Sequence, residues 1–149
     1  MHTFGKALGC HGAVILGSHL LRDYLINFCR PFIYSTAIPP VSVAAIQASY
    51  NIFPGMTKER ETIKKLITLF DHPGFKKSPT PIQCFIIPGN NNVKRAAKKL
   101  LENSLDARPI LYPTVPSGEE RLRITLHSFN TSEETEKLIT ILTTMTNDR

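Results

Sequence analysis

The chain has 149 residues, of which 42% are hydrophobic and 20% are charged, and its formal net charge is +6. This composition is typical of a globular protein rather than a disordered one, and the length suits one ordinary domain or parts of two. The basic residues are spread along the chain and interrupted by Glu59, Glu61 and Glu102. We therefore expect solvated helix faces and no nucleic-acid partner; a basic nucleic-acid-binding module is the less favoured alternative.

The cysteines and histidines argue against several kinds of site. Cys10, Cys29 and Cys84 are widely spaced and form no CxxC pair, which favours reduced thiols in the cytoplasm over a disulfide framework. The five histidines show no metal-ligand spacing, so no metal site is expected. The N-terminal apolar stretch is interrupted by polar and charged residues and is too short to span a membrane, so no membrane association is expected.

The first third of the chain predicts a strand, a helix and a second strand. Residues 12–17 form an apolar run bounded by glycines, which is typical of a short buried strand. Ser18 is a suitable N-cap for a helix that extends to about Arg30, because apolar residues recur there at helical spacing. Pro31 ends that helix, and residues 32–36 have the composition of a strand.

Two helices are predicted next, on either side of Pro54-Gly55. The first begins after Pro39-Pro40 and covers residues 41–52. We expect it to be buried because it is rich in alanine and mostly apolar. The second begins at Thr57 and extends to about residue 70, with its apolar side chains on one face.

The following segment predicts a strand, a helix and an extended segment. Residues 82–87 have the composition of a strand, and the asparagines at 90–92 can cap a basic helix over residues 93–103. Ser104 stands where a helix-ending glycine would be easier to accommodate. Residues 107–112 are predicted to be extended.

The last part of the chain predicts a half-buried strand and a helix. Apolar and polar residues alternate over residues 121–127, so Arg121 and Arg123 are expected on one face of the strand. Thr131 and Glu134 have the spacing of a capping box, which predicts a final helix extending to about residue 145.

A lysine between two glycines is the first candidate for chemistry. In the segment 3–9, Gly5 and Gly9 leave open backbone around Lys6, as a reactive amine needs if a flat cofactor is to approach it. The glycine spacing fits neither the P-loop nor the dinucleotide-binding fingerprint. By itself the pattern favours a solvated surface lysine, and Arg123 by itself favours a surface charge.

Three segments in order resemble the signatures of the α-oxoamine synthases, which are pyridoxal-phosphate enzymes of fold type I. The first is Thr3-Phe4-Gly5-Lys6-Ala7-Leu8-Gly9. The second is Arg30-Pro31-Phe32-Ile33-Tyr34-Ser35-Thr36-Ala37-Ile38-Pro39-Pro40. The third is Pro113-Thr114-Val115-Pro116-Ser117-Gly118 with Arg121-Leu122-Arg123-Ile124-Thr125-Leu126. The resemblance covers nearly the whole chain and only the C-terminal portion of the family's length.

This resemblance implies an α/β fold that corresponds to the C-terminal part of a fold type I pyridoxal-phosphate transferase. Residues 1–45 would be the remnant of the large cofactor-binding domain, and residues 46–149 would form the small C-terminal α/β domain. The family consists of cytoplasmic homodimers that act on small molecules. Its implied reaction is the decarboxylative condensation of an amino acid with an acyl thioester, with pyridoxal phosphate as the cofactor.

The resemblance also assigns site residues. Lys6 matches the lysine that binds the cofactor covalently and acts as a general base at the substrate Cα. The cofactor contacts, in addition to Lys6, are Thr3, Ser35 and Thr36, the last two reaching the phosphate of the partner subunit's cofactor. The substrate contacts are Thr114 and Arg123. The planar guanidinium of Arg123 would grip the carboxylate of the amino acid.

The family's other cofactor contacts lie upstream of its cofactor lysine. They are a glycine-rich loop, a histidine stacked on the ring, an aspartate paired with the pyridine nitrogen and a histidine near the phenolic oxygen. Only five residues precede Lys6, so none of these groups has a counterpart here. We therefore weigh an acyltransferase fragment, inactive by itself and active only within a whole chain, against a non-catalytic product that folds alone or pairs with a full-length subunit.

Overall fold

The computed structural model describes residues 1–147, with side chains described through Met145. It separates into two compact units, unit 1 (Met1–Met56) and unit 2 (Thr57–Arg149). The predicted division at residue 45 falls inside a helix, whereas the two units divide after that helix ends. The assignment of the first segment to a cofactor-binding domain stays a prediction.

Unit 1 consists of two short strands and three helices within residues 1–56. They are β1 (His2–Thr3), β2 (Ala13–Val14), α1 (His19–Phe28), α2 (Arg30–Ile33) and α3 (Pro40–Ile52), followed by a 3₁₀ turn at Phe53–Gly55. The strands pair antiparallel, with Thr3 opposite Ala13. Ser18 caps α1 as predicted, because its hydroxyl accepts a hydrogen bond from the amide of Leu21 at 3.2 Å.

Of the two strand predictions in unit 1, the first is too long and wrong about burial, and the second is wrong. The apolar run at residues 12–17 pairs over only two residues, and Ile15 and Leu16 are 51% and 67% exposed. Its one partner within unit 1 is β1, which has two residues, so the rest of the apolar run has no strand to pair with. Residues 32–36 form the end of a helical turn and a bend instead of a strand, because Pro31 in the first turn is preorganised for helix.

The helix α3 forms where the sequence predicts it but is not buried. None of its residues is buried in the part of the chain that the structure describes. Its apolar residues lie all around the helix, so burying them requires neighbours on several sides. Within unit 1, the ring of Tyr50 packs against Phe4 and Phe53.

Unit 2 combines a four-stranded antiparallel sheet with three helices in residues 57–147. The elements are α4 (Thr57–Leu69), β3 (Phe75–Lys76), β4 (Ile82–Ile86), α5 (Asn90–Glu102), β5 (Arg108–Ile110), β6 (Arg121–Thr125) and α6 (Ser132–Asn147). The strand order is β3-β4-β6-β5, and each neighbouring pair is antiparallel. The central strands therefore come from segments that lie far apart in the sequence.

The core of unit 2 lies between one face of this sheet and the helices. Phe85 of β4 is paired in register with Leu122 of β6, and both side chains are fully buried. Leu66, Leu100 and Leu142 supply the buried side chains of α4, α5 and α6 in the same cluster. The alternation predicted for β6 is confirmed, since its even-numbered residues face this core and its odd-numbered residues face away.

The helix ends in unit 2 confirm two predictions and correct one. The amide of Glu134 donates to Thr131 Oγ1, and the amide of Thr131 donates to Glu134 Oε2, both at 3.1 Å, which completes the capping box. Ser104 has φ of 65°, the left-handed conformation that favours glycine. The asparagines at 90–92 do not cap α5, because the helix begins at Asn90 and Gly89 is its N-cap.

Candidate active site

Lys6 lies in the loop that connects β1 to β2. The amide of Gly9 donates to the carbonyl of Lys6, and the amide of Cys10 donates to the carbonyl of Phe4, both at 2.9 Å. The amide of Phe4 in turn donates to the carbonyl of Gly12 at 2.9 Å. Gly9 has φ of +64°, which a residue with a side chain rarely adopts and which allows this turn to close. Lys6 therefore stands on an ordered, tightly turned loop.

The Lys6 loop, residues 4–12, is fixed to the helix α3. Phe4 is 6% exposed, and its ring meets the ring of Tyr50 edge to face with centroids 6.1 Å apart. The hydroxyl of Ser49 donates to the carbonyl of Leu8 at 3.1 Å. The backbone is thus held on both sides of Lys6, while its side chain is exposed and its amine makes no hydrogen bond or ion pair within residues 1–147.

The other predicted cofactor contacts occupy two places in unit 1. Thr3 is exposed in β1 and shares the hairpin with Lys6. Ser35 and Thr36 lie after α2 on a separate segment, where both are exposed and the hydroxyl of Ser35 donates to the carbonyl of Pro31. The structure therefore brings Lys6 and Thr3 together on one hairpin and leaves the other two as a second group.

The chemistry of unit 1 fits the anchoring of pyridoxal phosphate. Lys6 is the one lysine in residues 1–56, and its unpaired amine is what covalent attachment requires. The exposed hydroxyls described above are suitable partners for a phosphate. The one acidic side chain in the same residues, Asp23, is paired with Arg22 at 2.9 Å. Unit 1 therefore offers an attachment point but no free carboxylate for the ring nitrogen.

Arg123 lies in β6 on the face of the sheet that points away from the core. Its partners across the strands are Cys84 in β4 and Arg108 in β5. Arg121 on the same face is already engaged, because it donates to the carbonyl and the carboxylate of Glu119, both at 2.8 Å. The exposed guanidinium of Arg123 makes no such bond to any described residue. It is therefore the arginine of this strand that is available for a substrate carboxylate.

Thr114 lies in the loop between β5 and β6, and it is exposed. Residues 112–118 of this connection are called the 112–118 loop. Asn90 and Glu120 hold this loop through side-chain hydrogen bonds to its backbone. Sequence reasoning missed both roles, because the contacts of Asn90 with Tyr112 and of Glu120 with Gly89 join residues 22 and 31 positions apart, and no local pattern connects them.

The carboxylate of Glu120 is held in its ionised form by backbone amides. The amide of Gly89 is the main cause that lowers the pKa of Glu120 below the ordinary glutamate value of 4.5, and the amide of Gly118 adds to it. Both amides donate to the same oxygen, Oε2, at 2.9 Å. The side chain is 3% exposed, so it acts as a structural anion inside the unit.

A cleft of about 670 Å³ lies in unit 1 between residues 13–18 and the helix α1. Its walls are mainly apolar, with Val14, Leu21, Leu25 and Ile26 among them. None of the predicted site residues lines it. Among the described helices, none is long and apolar enough to cross a membrane. Within residues 1–147, no cluster of three or more His, Cys, Asp or Glu side chains could hold a metal ion.

The family comparison identifies the class of protein to which this fold belongs. Residues 1–142 match the family model for aminotransferase class I and II. The chain belongs to this family, whose members are pyridoxal-phosphate-dependent enzymes.

Curated proteins similar to this chain include enzymes named 8-amino-7-oxononanoate synthase. The 8-amino-7-oxononanoate synthase of Aeromonas hydrophila subsp. hydrophila is 36% identical over 148 residues, which are 95% of this chain and 37% of that protein. The chain thus spans 37% of the length of this curated relative.

Solved structures show the same fold. The 8-amino-7-oxononanoate synthase of Francisella tularensis superposes with a TM-score of 0.85 at 29% identity, covering 97% of this chain and 44% of that one. The serine palmitoyltransferase of Sphingomonas wittichii superposes with a TM-score of 0.81 at 21% identity, covering 98% and 39%. The second likeness concerns the fold alone. The predicted fold class and cofactor are confirmed, whereas the roles of the individual site residues stay predictions.

Proposed function

We propose that this chain contributes the cofactor lysine and the substrate-binding arginine of an acyltransferase of the 8-amino-7-oxononanoate synthase type, which works in biotin synthesis. In this reaction L-alanine condenses with a pimeloyl thioester. The alanine Cα loses its proton and forms a bond to the acyl carbon, and the carbon–sulfur bond breaks to release the thiol. The carboxylate then leaves as CO₂, and a proton takes its place on Cα. The relatives that bear this enzyme's name support the proposal.

The geometry around Lys6 carries the proposal. Its amine is unpaired and exposed, while the backbone on both sides is fixed by Phe4 and Leu8. Such an amine can attach the cofactor and, when released, take the proton from the substrate Cα. When bound, pyridoxal phosphate supplies the electron sink for the bond changes at that carbon. Thr3, on the same hairpin, would bind the phosphate.

Unit 2 would hold the amino-acid substrate. The free guanidinium of Arg123 can bind the carboxylate of L-alanine through two parallel hydrogen bonds, which fixes its orientation. The hydroxyl of Thr114 would supply a further substrate contact. We propose that the active assembly is a homodimer, in which Ser35 and Thr36 reach the cofactor of the partner subunit.

A chimera tests this function. This chain would replace the matched region of the Aeromonas hydrophila enzyme, and CO₂ release from carboxyl-labelled L-alanine would be measured with pimeloyl-coenzyme A. We expect turnover that falls by about a thousandfold or more in Lys6→Ala. The control variant Lys58→Ala removes an exposed lysine of unit 2 and should keep full turnover.

Two results would count against the function. A folded chimera that binds pyridoxal phosphate without releasing CO₂ would exclude it, as would a Lys6→Ala chimera with full turnover. Faster reaction of glycine with acetyl-coenzyme A would instead favour glycine C-acetyltransferase, the alternative within the family.

A second candidate is a non-catalytic chain that pairs with a full-length family member. The observation that favours it is the row of exposed apolar side chains on and after α1: Leu20 at 80%, Tyr24 at 60%, Phe28 at 66% and Phe32 at 63%. Native mass spectrometry of the chain mixed with a full-length relative should then show a stoichiometric complex. Its loss in the double variant Tyr24→Asp, Phe28→Asp would locate the contact, and two separate species would rule this candidate out.

A further inference from the structure

The start of the 112–118 loop is held by one amide side chain. The amide of Tyr112 donates to Asn90 Oδ1 at 3.0 Å, and Asn90 Nδ2 donates to the carbonyl of Tyr112 at 3.3 Å. The asparagine thus pairs with both backbone groups of one residue, as a neighbouring strand would. Asn90 is the first residue of α5, so the start of the loop is tied to that helix.

The end of the same loop is held by a buried carboxylate. Glu120 Oε2 accepts hydrogen bonds from the amides of Gly118 and Gly89, each at 2.9 Å, and the side chain is 3% exposed. Gly118 is the last residue of the loop and Gly89 is the N-cap of α5. One carboxylate oxygen therefore connects the end of the loop to the start of this helix. Hydrogen bonds to a charged acceptor are stronger than neutral ones, and losing a buried acceptor leaves its donors unsatisfied.

We propose that Asn90 and Glu120 are positioning residues that clamp the 112–118 loop to the N-terminus of α5 and thereby set where Thr114 meets the amino-acid substrate. This role rests on the proposed function, because it takes Thr114 as a substrate contact. Both ends of the loop are connected to the start of α5, at Gly89 and Asn90, so the residues between them have little conformational freedom. Arg123 belongs to the sheet and does not depend on this clamp for its place.

Amide hydrogen exchange in the full chain tests the clamp itself. In Glu120→Ala, exchange at Gly118 and Gly89 should accelerate by about tenfold or more, and in Asn90→Ala the same should hold for Tyr112. The core amides of Leu100 and Leu122 should keep their protection, which shows that the unit remains folded. Glu120→Gln retains an acceptor oxygen and should accelerate exchange less. Glu119→Gln removes the neighbouring exposed carboxylate and should change none of these amides.

The positioning role is tested by titrating the full chain with L-alanine and following the amide resonances of Thr114 and Arg123. We expect saturable shifts at both residues in the wild type. In Asn90→Ala and Glu120→Ala the Thr114 response should require about tenfold more L-alanine or disappear, while the Arg123 response persists. A purely structural role would leave the Thr114 response unchanged.

The outcomes separate the two proposals. Unchanged exchange in Glu120→Ala would overturn the clamp, and accelerated exchange with an unchanged Thr114 response would overturn positioning. A wild type in which neither Thr114 nor Arg123 responds to L-alanine would overturn the proposed substrate site and, with it, this role of the clamp. Accelerated exchange together with selective loss of the Thr114 response would support both.

Discussion

Units 1 and 2 differ in how much of their apolar surface is buried. In unit 2 the sheet and helices enclose a continuous cluster, and the large apolar side chains left exposed are Ile82, Leu101, Tyr112 and Phe129. Within residues 1–56 the one buried hydrophobic side chain is Phe4, and exposed large apolar residues occur in all three helices. Burial of apolar surface is the main source of folding free energy, so unit 2 is the self-sufficient part.

Lys6, the lysine proposed to attach the cofactor, lies in the less self-sufficient unit. The Lys6 loop is ordered locally by its turn and by α3, yet α3 itself has no buried residue. The arginine proposed for the substrate carboxylate lies on the sheet of unit 2, which is stabilised by a complete core. The residues proposed for cofactor attachment and for substrate binding therefore lie in units that bury very different amounts of apolar surface, and the following predictions test that difference.

The largest effect is expected from truncating a core aromatic. Phe85→Ala in unit 2 removes a fully buried ring that packs on Phe75 at 4.6 Å between centroids, so the free energy of unfolding should fall by about 3–5 kcal/mol. Phe28→Ala in unit 1, where the ring is 66% exposed, should change it by less than about 0.5 kcal/mol. Urea unfolding of the full chain measures both. Equal losses would show that the two units are equally dependent on their own packing.

The next effect concerns the two arginines of β6. In the chimera, Arg123→Ala should raise the KM for L-alanine by about 10- to 100-fold, the value expected for losing a charge-assisted hydrogen-bonded pair. Arg121→Ala removes the arginine that is engaged with Glu119, so its KM should stay near that of the parent. Steady-state kinetics at saturating acyl thioester measures both. A larger effect at Arg121 would contradict the assignment.

Acid should weaken unit 2 through Glu120. Because the pKa of Glu120 in the folded protein is lowered, chiefly by the Gly89 amide, its stabilising contribution is present above pH 4.5 and is lost as the pH falls through the folded pKa. Glu120→Gln should therefore be less stable than the wild type at pH 6, and the gap should narrow towards pH 3. Thermal unfolding across this range measures the gap. Parallel curves for the two proteins would show that Glu120 is not the group responsible.

The smallest effect is a gain in stability at the end of α5. Ser104 has φ of 65°, and the amide of Leu105 donates to the carbonyl of Leu100 at 2.9 Å in the helix-ending motif that glycine usually completes. Ser104→Gly should raise the free energy of unfolding by about 0.5–1 kcal/mol. Ser117→Gly, at a position without positive φ, should lower it slightly. A lower free energy of unfolding in Ser104→Gly would mean that the serine side chain stabilises the protein by more than its left-handed backbone destabilises it.

Sequence patterns predicted unit 2 well because its helices and strands pack against one another and bury their apolar faces in one cluster. The alternation in β6 and the capping box at Thr131 are local signals, and the folded unit satisfies each of them. The short strand β3 was missed, since two residues carry no periodicity. The hydrogen bond from the amide of Gly89 to the carboxylate of Glu120 was missed because it joins residues 31 positions apart.

Sequence patterns failed more often in unit 1, for a physical reason. Apolar runs such as residues 12–17 and 32–36 predict strands only if other strands lie beside them, and unit 1 supplies two paired residues on each side. The position of Lys6 between glycines was visible in the sequence. The fixation of its loop by Phe4 and Ser49 was not, because it depends on the fold of α3 against the hairpin.

The role of Lys6 is tested most directly by covalent labelling. The chimera would be loaded with pyridoxal phosphate and reduced with borohydride, and the pyridoxyl group would be quantified on each lysine after digestion. We predict that Lys6 carries the label, with little on exposed lysines of unit 2 such as Lys58 and Lys94. A folded, cofactor-loaded chimera with no preference for Lys6 would contradict its assignment as the attachment lysine.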